Sequence, residues 1–173
     1  MVPAASGVTE WEQPLETYAA ALGAEDDLAE RLDAVGERAA AVKEGGALAG
    51  DVAVVRWMAN GAILMNAGLM PGSLLQDAGG QPVEAATKLG DQPHSDPLSL
   101  ENLGQVDADH LFLATLGPDA GAALEAAKAQ PAFTQLTAVQ QGATASVSGD
   151  VWSSSSGPIA ADLVMDDIEA AVG

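Results

Sequence analysis

Asp51-Val52-Ala53-Val54-Val55-Arg56-Trp57 is β-branched and nearly all apolar. A strand that faces water on one side alternates apolar with polar residues; this one does not, which is the pattern of a strand buried on both faces. Downstream, Asn60-Gly61 reads as a two-residue hairpin turn and Ala62 to Met65 as a short returning strand. Pro71 and Ser73 open a short helix that ends at Gly79-Gly80. Residues 81–97 keep no sustained period and are rich in Pro, Asp and Gly, so they read as a long loop, a feature that is often functional. Ser99 caps a short helix through Leu103, His110 to Ala114 is a second buried strand, and Pro118 to Gln130 is an Ala-rich helix. Ala143 to Val147 alternates as a last strand, and Ser156-Gly157-Pro158 opens a closing helix carrying Ile159, Leu163, Ile168 and Val172.

Upstream the period is helical. Thr9-Glu10-Trp11-Glu12 has the spacing of a capping box, and Trp11, Leu15, Tyr18 and Leu22 follow it as one apolar stripe. A second helix opens with Glu25, Asp26 and Asp27, carries Leu28, Leu32, Val35, Ala39 and Val42 on one face, and stops at Gly45-Gly46. Helices followed by alternating strands and helices predict an α/β fold, a parallel-rich sheet with helices on both faces, preceded by a long connecting helix. The division expected is 1–46, helical, and 47–173, the α/β unit. Ligands in such folds bind where strand C-termini meet loops.

Composition narrows the function. With 173 residues, 48% of them hydrophobic, the chain can bury one sizeable core, and its aromatics, only 3%, leave that core to Leu, Val, Ile and Ala. The net charge of -19, from Asp+Glu 25 against Lys+Arg 6, repels phosphate backbones and anionic lipid, so no nucleic acid partner is expected. No cysteine is present, which excludes disulfides, thiolate zinc sites and iron–sulfur clusters. Common nucleotide, zinc-protease and hydrolase motifs do not occur, so the chain is read as no enzyme. His110 opens an apolar strand and reads as structural. The opening MVPAASGVTEW has neither the basic start nor the apolar stretch of a signal peptide; either the protein is cytosolic or its export signal was removed or lies upstream.

Three segments occur in a familiar order: VAVVRWMANGAILMNAGLMPGSLLQDAGG, PLSLENLGQVDADHLFLATLG and QPAFTQLTAVQQGATASVSGDVW, followed by the helix IAADLVMDDIEAAV. Together they resemble the C-terminal lobe of siderophore- and cobalamin-binding substrate-binding proteins of ABC importers, and the helices of Trp11 to Glu44 resemble the segment that joins that family's two lobes. The resemblance implies a non-enzymatic protein that binds a small-molecule chelate such as a ferric siderophore. It also implies presentation to a membrane permease from an extracytoplasmic position, periplasmic or as a cell-surface lipoprotein. No protein-held cofactor or direct metal coordination is expected. Glu101 falls where the family carries a permease-docking glutamate. The alternative is a stand-alone acidic α/β interaction domain without ligand binding, and helix surface meant for an absent lobe makes a homodimer an expectation.

Four residues are the candidate ligand contacts. Arg56 ends an apolar strand and must find a carboxylate or reach a wet cleft, since an unpaired buried charge is costly. Trp152 lies outside any helical or strand period, between Asp150 and the serines 153–156, and similar proteins carry pocket aromatics just before the last helix. Asn66 and His94 fall near the cleft of the resembled fold. After Gly50 the fixed cations are Arg56, Lys88 and Lys128, too few to offset a triply anionic tricatecholate; a neutral or hydroxamate-type chelate, held by Arg56 and Trp152, fits the balance better.

Overall fold

The computed structural model describes residues 11–173. The chain forms α1 (Gln13–Leu22), α2 (Glu25–Gly45), β1 (Gly50–Met58), β2 (Gly61–Leu64), α3 (Met70–Asp77), β3 (Gly80–Pro82) and α4 (Glu84–Thr87). A 3-10 helix (Leu100–Val106) leads into β4 (His110–Thr115), α5 (Pro118–Lys128), α6 (Pro131–Thr134), α7 (Thr137–Gln141), β5 (Thr144–Ser148), α8 (Gly149–Ser154) and α9 (Pro158–Val172). The sheet runs β2-β1-β4-β5, with β3 also on β1. β1 pairs in parallel with β4 and β3, β4 in parallel with β5, and only β2 is antiparallel. The expected parallel-rich α/β fold is therefore the observed one.

Alternation along β1 divides its side chains between two cores. Val52 and Val54 join Phe112, Ile63 and Val147 beneath α2, α3, α8 and α9, whereas Ala53, Val55 and Trp57 join Leu111, Leu113, Leu103 and Phe133 on the other face. Val35 and Ala39 of α2 lie in the first core with Val42 packed against it, so the C-terminal half of the long helix's apolar stripe faces the sheet layer, whereas Leu28 and Leu32 are half-buried against α1 and outside both cores. α2 packs on α9 and α3.

Several sequence readings shift. The register Met58↔Gly61 puts Ala59 and Asn60 at the hairpin tip, and Gly61, with φ 137, already belongs to the returning strand, one residue earlier than the Asn-Gly rule places it. The stretch 81–97 is not one loop: it contains most of β3 and all of α4, and then runs beside β2 through the bridges Met65↔His94 and Ala62↔Leu98. Elements this short carry too few residues to show a period. The capping box rests on Thr9, which lies outside the described residues; Glu12 is the N-cap of α1 and its side chain makes no cap bond. Of the α1 stripe, Leu22 is 80% exposed and Tyr18 is also exposed, because α1 buries only Ala19. In α9, Ile159 (69% exposed) and Leu163 face outward, and the buried side is Ala160, Ala161, Val164, Met165 and Ile168, whose alanines allow close approach to α2 and α3.

One polar cluster fixes α2 on α9. Arg38 Nε and Nη2 donate to Glu169 at 2.8 and 2.9 Å, and Nη2 also donates to Asp166 at 2.6 Å. Nη1 donates to the Asp162 carbonyl at 3.3 Å, and Arg31 approaches the Asp162 carboxylate at 3.8 Å. The forked guanidinium holds Glu169 below its usual pKa of 4.5, first through the hydrogen bond and then through its charge. Such a group stabilises above its unfolded pKa and loses that contribution as pH falls through the lower folded value. Arg38→Ala should cost about 1 kcal/mol at neutral pH in urea unfolding. The gap between wild type and variant should close as pH falls below the ordinary glutamate range; a gap that persists in acid would mean the helix contact is apolar.

Candidate functional site

The parallel strands end together. Trp57 pairs with Thr115 and Thr115 with Ser148, so β1, β4 and β5 deliver the hairpin tip, the turn into α5 and the start of α8 to one edge of the sheet. Gly149 makes the last of these turns: a Cβ there would stand 2.7 Å from the Thr115 carbonyl oxygen, so only glycine lets α8 begin flush against β4.

Arg56 sits at this edge. In register it belongs to the row Ile63, Arg56, Ala114 and Val147, one row nearer the strand ends than Val54, Phe112 and Ala145. Trp152 covers the Phe112 row with its ring stacked at 4.9 Å, and half-buried Arg56 lies one row further toward the strand ends, beside the buried Ile63, Ala114 and Val147. Its Nε is buried without a hydrogen-bond partner, and no carboxylate pairs with it among the described residues. Among the described residues, the ion pair that would make Arg56 purely structural is absent. Burying an unpaired donor costs ~1–3 kcal/mol, more for charged groups, and the core gains nothing from it.

A groove of about 330 Å³ opens on the same side of the molecule, between α1, the start of α3 and α8. Its walls include Trp11, Leu15, Tyr18, Met70, Trp152 and Ser155. Trp11 Nε1–H donates to Ser73 Oγ at 3.1 Å and Ser73 Oγ donates to the Met70 carbonyl at 2.9 Å, which ties the entry to α1 to the first turn of α3. Trp11 and Tyr18 as wall residues were missed in the sequence, where their helical spacing reads as core; the scarcity of aromatics in the chain was the available signal.

The other candidates separate. Trp152 is not a loop residue: it lies within α8, is 1% exposed, stacks on Phe112, and donates Nε1–H to Asp167 Oδ2 at 2.7 Å. Its indole is a core element that closes the floor of the groove rather than a free ligand face, and the one-and-a-half-turn helix was too short to show its period. Asn66 is 6% exposed and fully engaged: Nδ2 donates to the carbonyls of Gly90 (2.9 Å) and Gln92 (2.7 Å), and Oδ1 accepts from Gly68 N–H at 2.8 Å. It pins the 90–92 turn to the segment that leads into α3. His94 is exposed beside Met65, on the lateral edge of the sheet beyond β2, and its Nδ1–H donates to the Ser95 carbonyl at 2.8 Å. That bridge puts it away from the strand ends where Arg56 lies. Glu101 is exposed on the 3-10 helix, whose Leu103 and Val106 belong to the opposite core face from Arg56. Among the described residues no group of three or more His, Asp or Glu could hold a metal ion.

Residues 2–147 match the periplasmic binding protein family. The chain belongs to that family. Among solved structures, this periplasmic binding protein is similar to SirA of Staphylococcus aureus, with TM-score 0.82 and 17% identity over 98% of this chain and 67% of SirA. SirA complexed with staphyloferrin B matches at TM-score 0.80 and 19% identity, over 96% of this chain and 62% of that one. A siderophore periplasmic binding protein from the fuscachelin gene cluster of Thermobifida fusca matches at 0.74 and 19%, over 96% and 61%. The iron-uptake system-binding protein FeuA of Bacillus subtilis matches at 0.74 and 18%, over 98% and 62%. Identity at this level establishes the fold, and the chain spans about 61% to 67% of these proteins. No curated protein sequence gives a significant match.

Two substitutions separate the core residue from the site residue. Trp152→Ala should lose about 3–5 kcal/mol in urea unfolding, the cost of a buried aromatic. Arg56→Met should leave the midpoint unchanged or raise it, since it replaces an unpaired buried donor with an apolar chain. A marked loss of stability in Arg56→Met would show that Arg56 is structural.

Proposed function

We propose that this chain is a ligand-binding lobe of an ABC-importer substrate-binding protein and that its ligand is a ferric siderophore or a related metal chelate. The observation that carries the reading is Arg56, whose buried Nε has no partner among the described residues, at the C-terminal edge of a sheet whose fold is shared with siderophore-binding proteins. Family membership supports a binding role rather than catalysis. Arg56 supplies planar donors for the oxygen atoms of a chelate, and the aromatic groove on the far side of Trp152, which Arg56 does not itself line, supplies apolar wall. The iron arrives already wrapped, as cargo.

The working position is extracytoplasmic, periplasmic or tethered at the cell surface, and the partner is a membrane permease. Glu101, exposed on the 3-10 helix, is the docking residue in this reading. The outward-facing Leu22, Ile159 and Leu163 carry apolar surface that favours association, and a homodimer of the isolated chain follows from it. Sedimentation velocity should show the sedimentation coefficient rising with concentration; a concentration-independent monomer would count against the dimer.

Glu101→Arg separates docking from binding. Chelate affinity should be unchanged, while uptake in cells carrying the cognate permease should fall by roughly tenfold or more, because a reversed charge at an interface costs several kcal/mol. Unaltered uptake would remove Glu101 from the docking surface. A chain that binds no chelate at all would favour the acidic interaction-domain reading instead.

A further inference from the structure

We infer that this lobe selects chelates of low net charge, with Arg56 as the single cation that reads them; this rests on the chelate-binding reading above. The chain has six lysines and arginines, and the structure accounts for them individually. Arg31 and Arg38 are engaged with Asp162, Asp166 and Glu169 on α9. Lys88 pairs with Glu84 at 2.6 Å and Lys128 with Glu125 at 2.7 Å, each within its own turn of chain. Lys43 stands in the last turn of α2, against Gly79, just before β3, which pairs with the first residues of β1 at the opposite end from Arg56. Arg56 alone combines a buried, unpartnered nitrogen with a place at the strand ends.

The field around that one cation is negative, since the chain carries a net charge of -19. A ferric tris-catecholate is a trianion, because three dianionic rings overbalance the metal. A ferric tris-hydroxamate is neutral, because three monoanionic groups match it. One guanidinium cannot offset the trianion against the repulsion of a chain with net charge -19, whereas it can donate to the oxygens of the neutral complex without a Coulombic penalty. The groove walls of Trp11, Leu15 and Tyr18 add apolar surface that suits an uncharged ligand and does nothing for a trianion.

The test is tryptophan-fluorescence titration of the 173-residue chain with ferrichrome, a neutral tris-hydroxamate, and with ferric enterobactin, a tris-catecholate trianion. Ferrichrome should bind at least about tenfold more tightly at low salt, and the gap should narrow as salt screens the repulsion. Arg56→Gln should weaken ferrichrome by about tenfold, with folding checked by circular dichroism, whereas Lys88→Gln and Lys128→Gln should leave it unchanged. Equal or tighter binding of ferric enterobactin would overturn the charge selection and leave the chelate-binding reading standing. Loss of affinity in either lysine variant would overturn the assignment of Arg56 as the lone cation. Binding of neither chelate would sink the chelate-binding reading and this inference with it.

Discussion

β1 is bounded on every side. β4 runs along one edge, β2 and β3 share the other, and a separate apolar core covers each face. Every polar backbone group of such a strand must be paired within the sheet, and every side chain must suit a dry layer, which is why Asp51 to Trp57 contains so little besides Val and Ala. The remaining strands take their register from it, and the helices are the two layers it requires. An arginine in this strand is therefore an exception to be explained, and its position near the strand end, where it is only half-buried, explains how it is tolerated.

The same constraint sorts the charges. Helix-borne cations find carboxylates nearby, because α2 and α9 meet along an acidic face of α9 and because the helices bearing Lys88 and Lys128 place a glutamate within one turn. A cation on the central strand has only apolar neighbours in its row, Ile63, Ala114 and Val147. Its partner has to come from outside the layer. Stability and function separate on this basis: Arg38 serves the packing of α2 on α9, and Arg56, in the function proposed, is left to recognition.

Much of the fold was legible because its long elements carry an unambiguous period. β1, β4, α2, α5 and α9 were each anticipated within a few residues, and their order implies the parallel sheet. What escaped was short or two-sided. β3 and α4, with three and four residues, show no pattern, and the α1 and α9 stripes contain apolar residues that the structure leaves outside, since periodicity names a face but not whether anything covers it. Of the candidate site, Arg56 was legible from a charge in an apolar strand. Trp152 was misplaced in a loop, and sequence position alone says nothing of the hydrogen bonds that hold Asn66 or the stacking that commits Trp152 to the core.

The central claim is that Arg56 carries a free donor that a ligand takes up. It can be observed at the atom concerned by recording the arginine Nε–H resonances of the ¹⁵N-labelled chain, with Arg56 assigned through its absence in Arg56→Gln. On addition of the diamagnetic gallium complex of desferrichrome, the account predicts that the Arg56 Nε–H signal shifts and its exchange with water slows, while the Arg38 signal stays in place. Movement of the Arg38 signal with Arg56 unchanged, or saturable binding that perturbs neither, would contradict it.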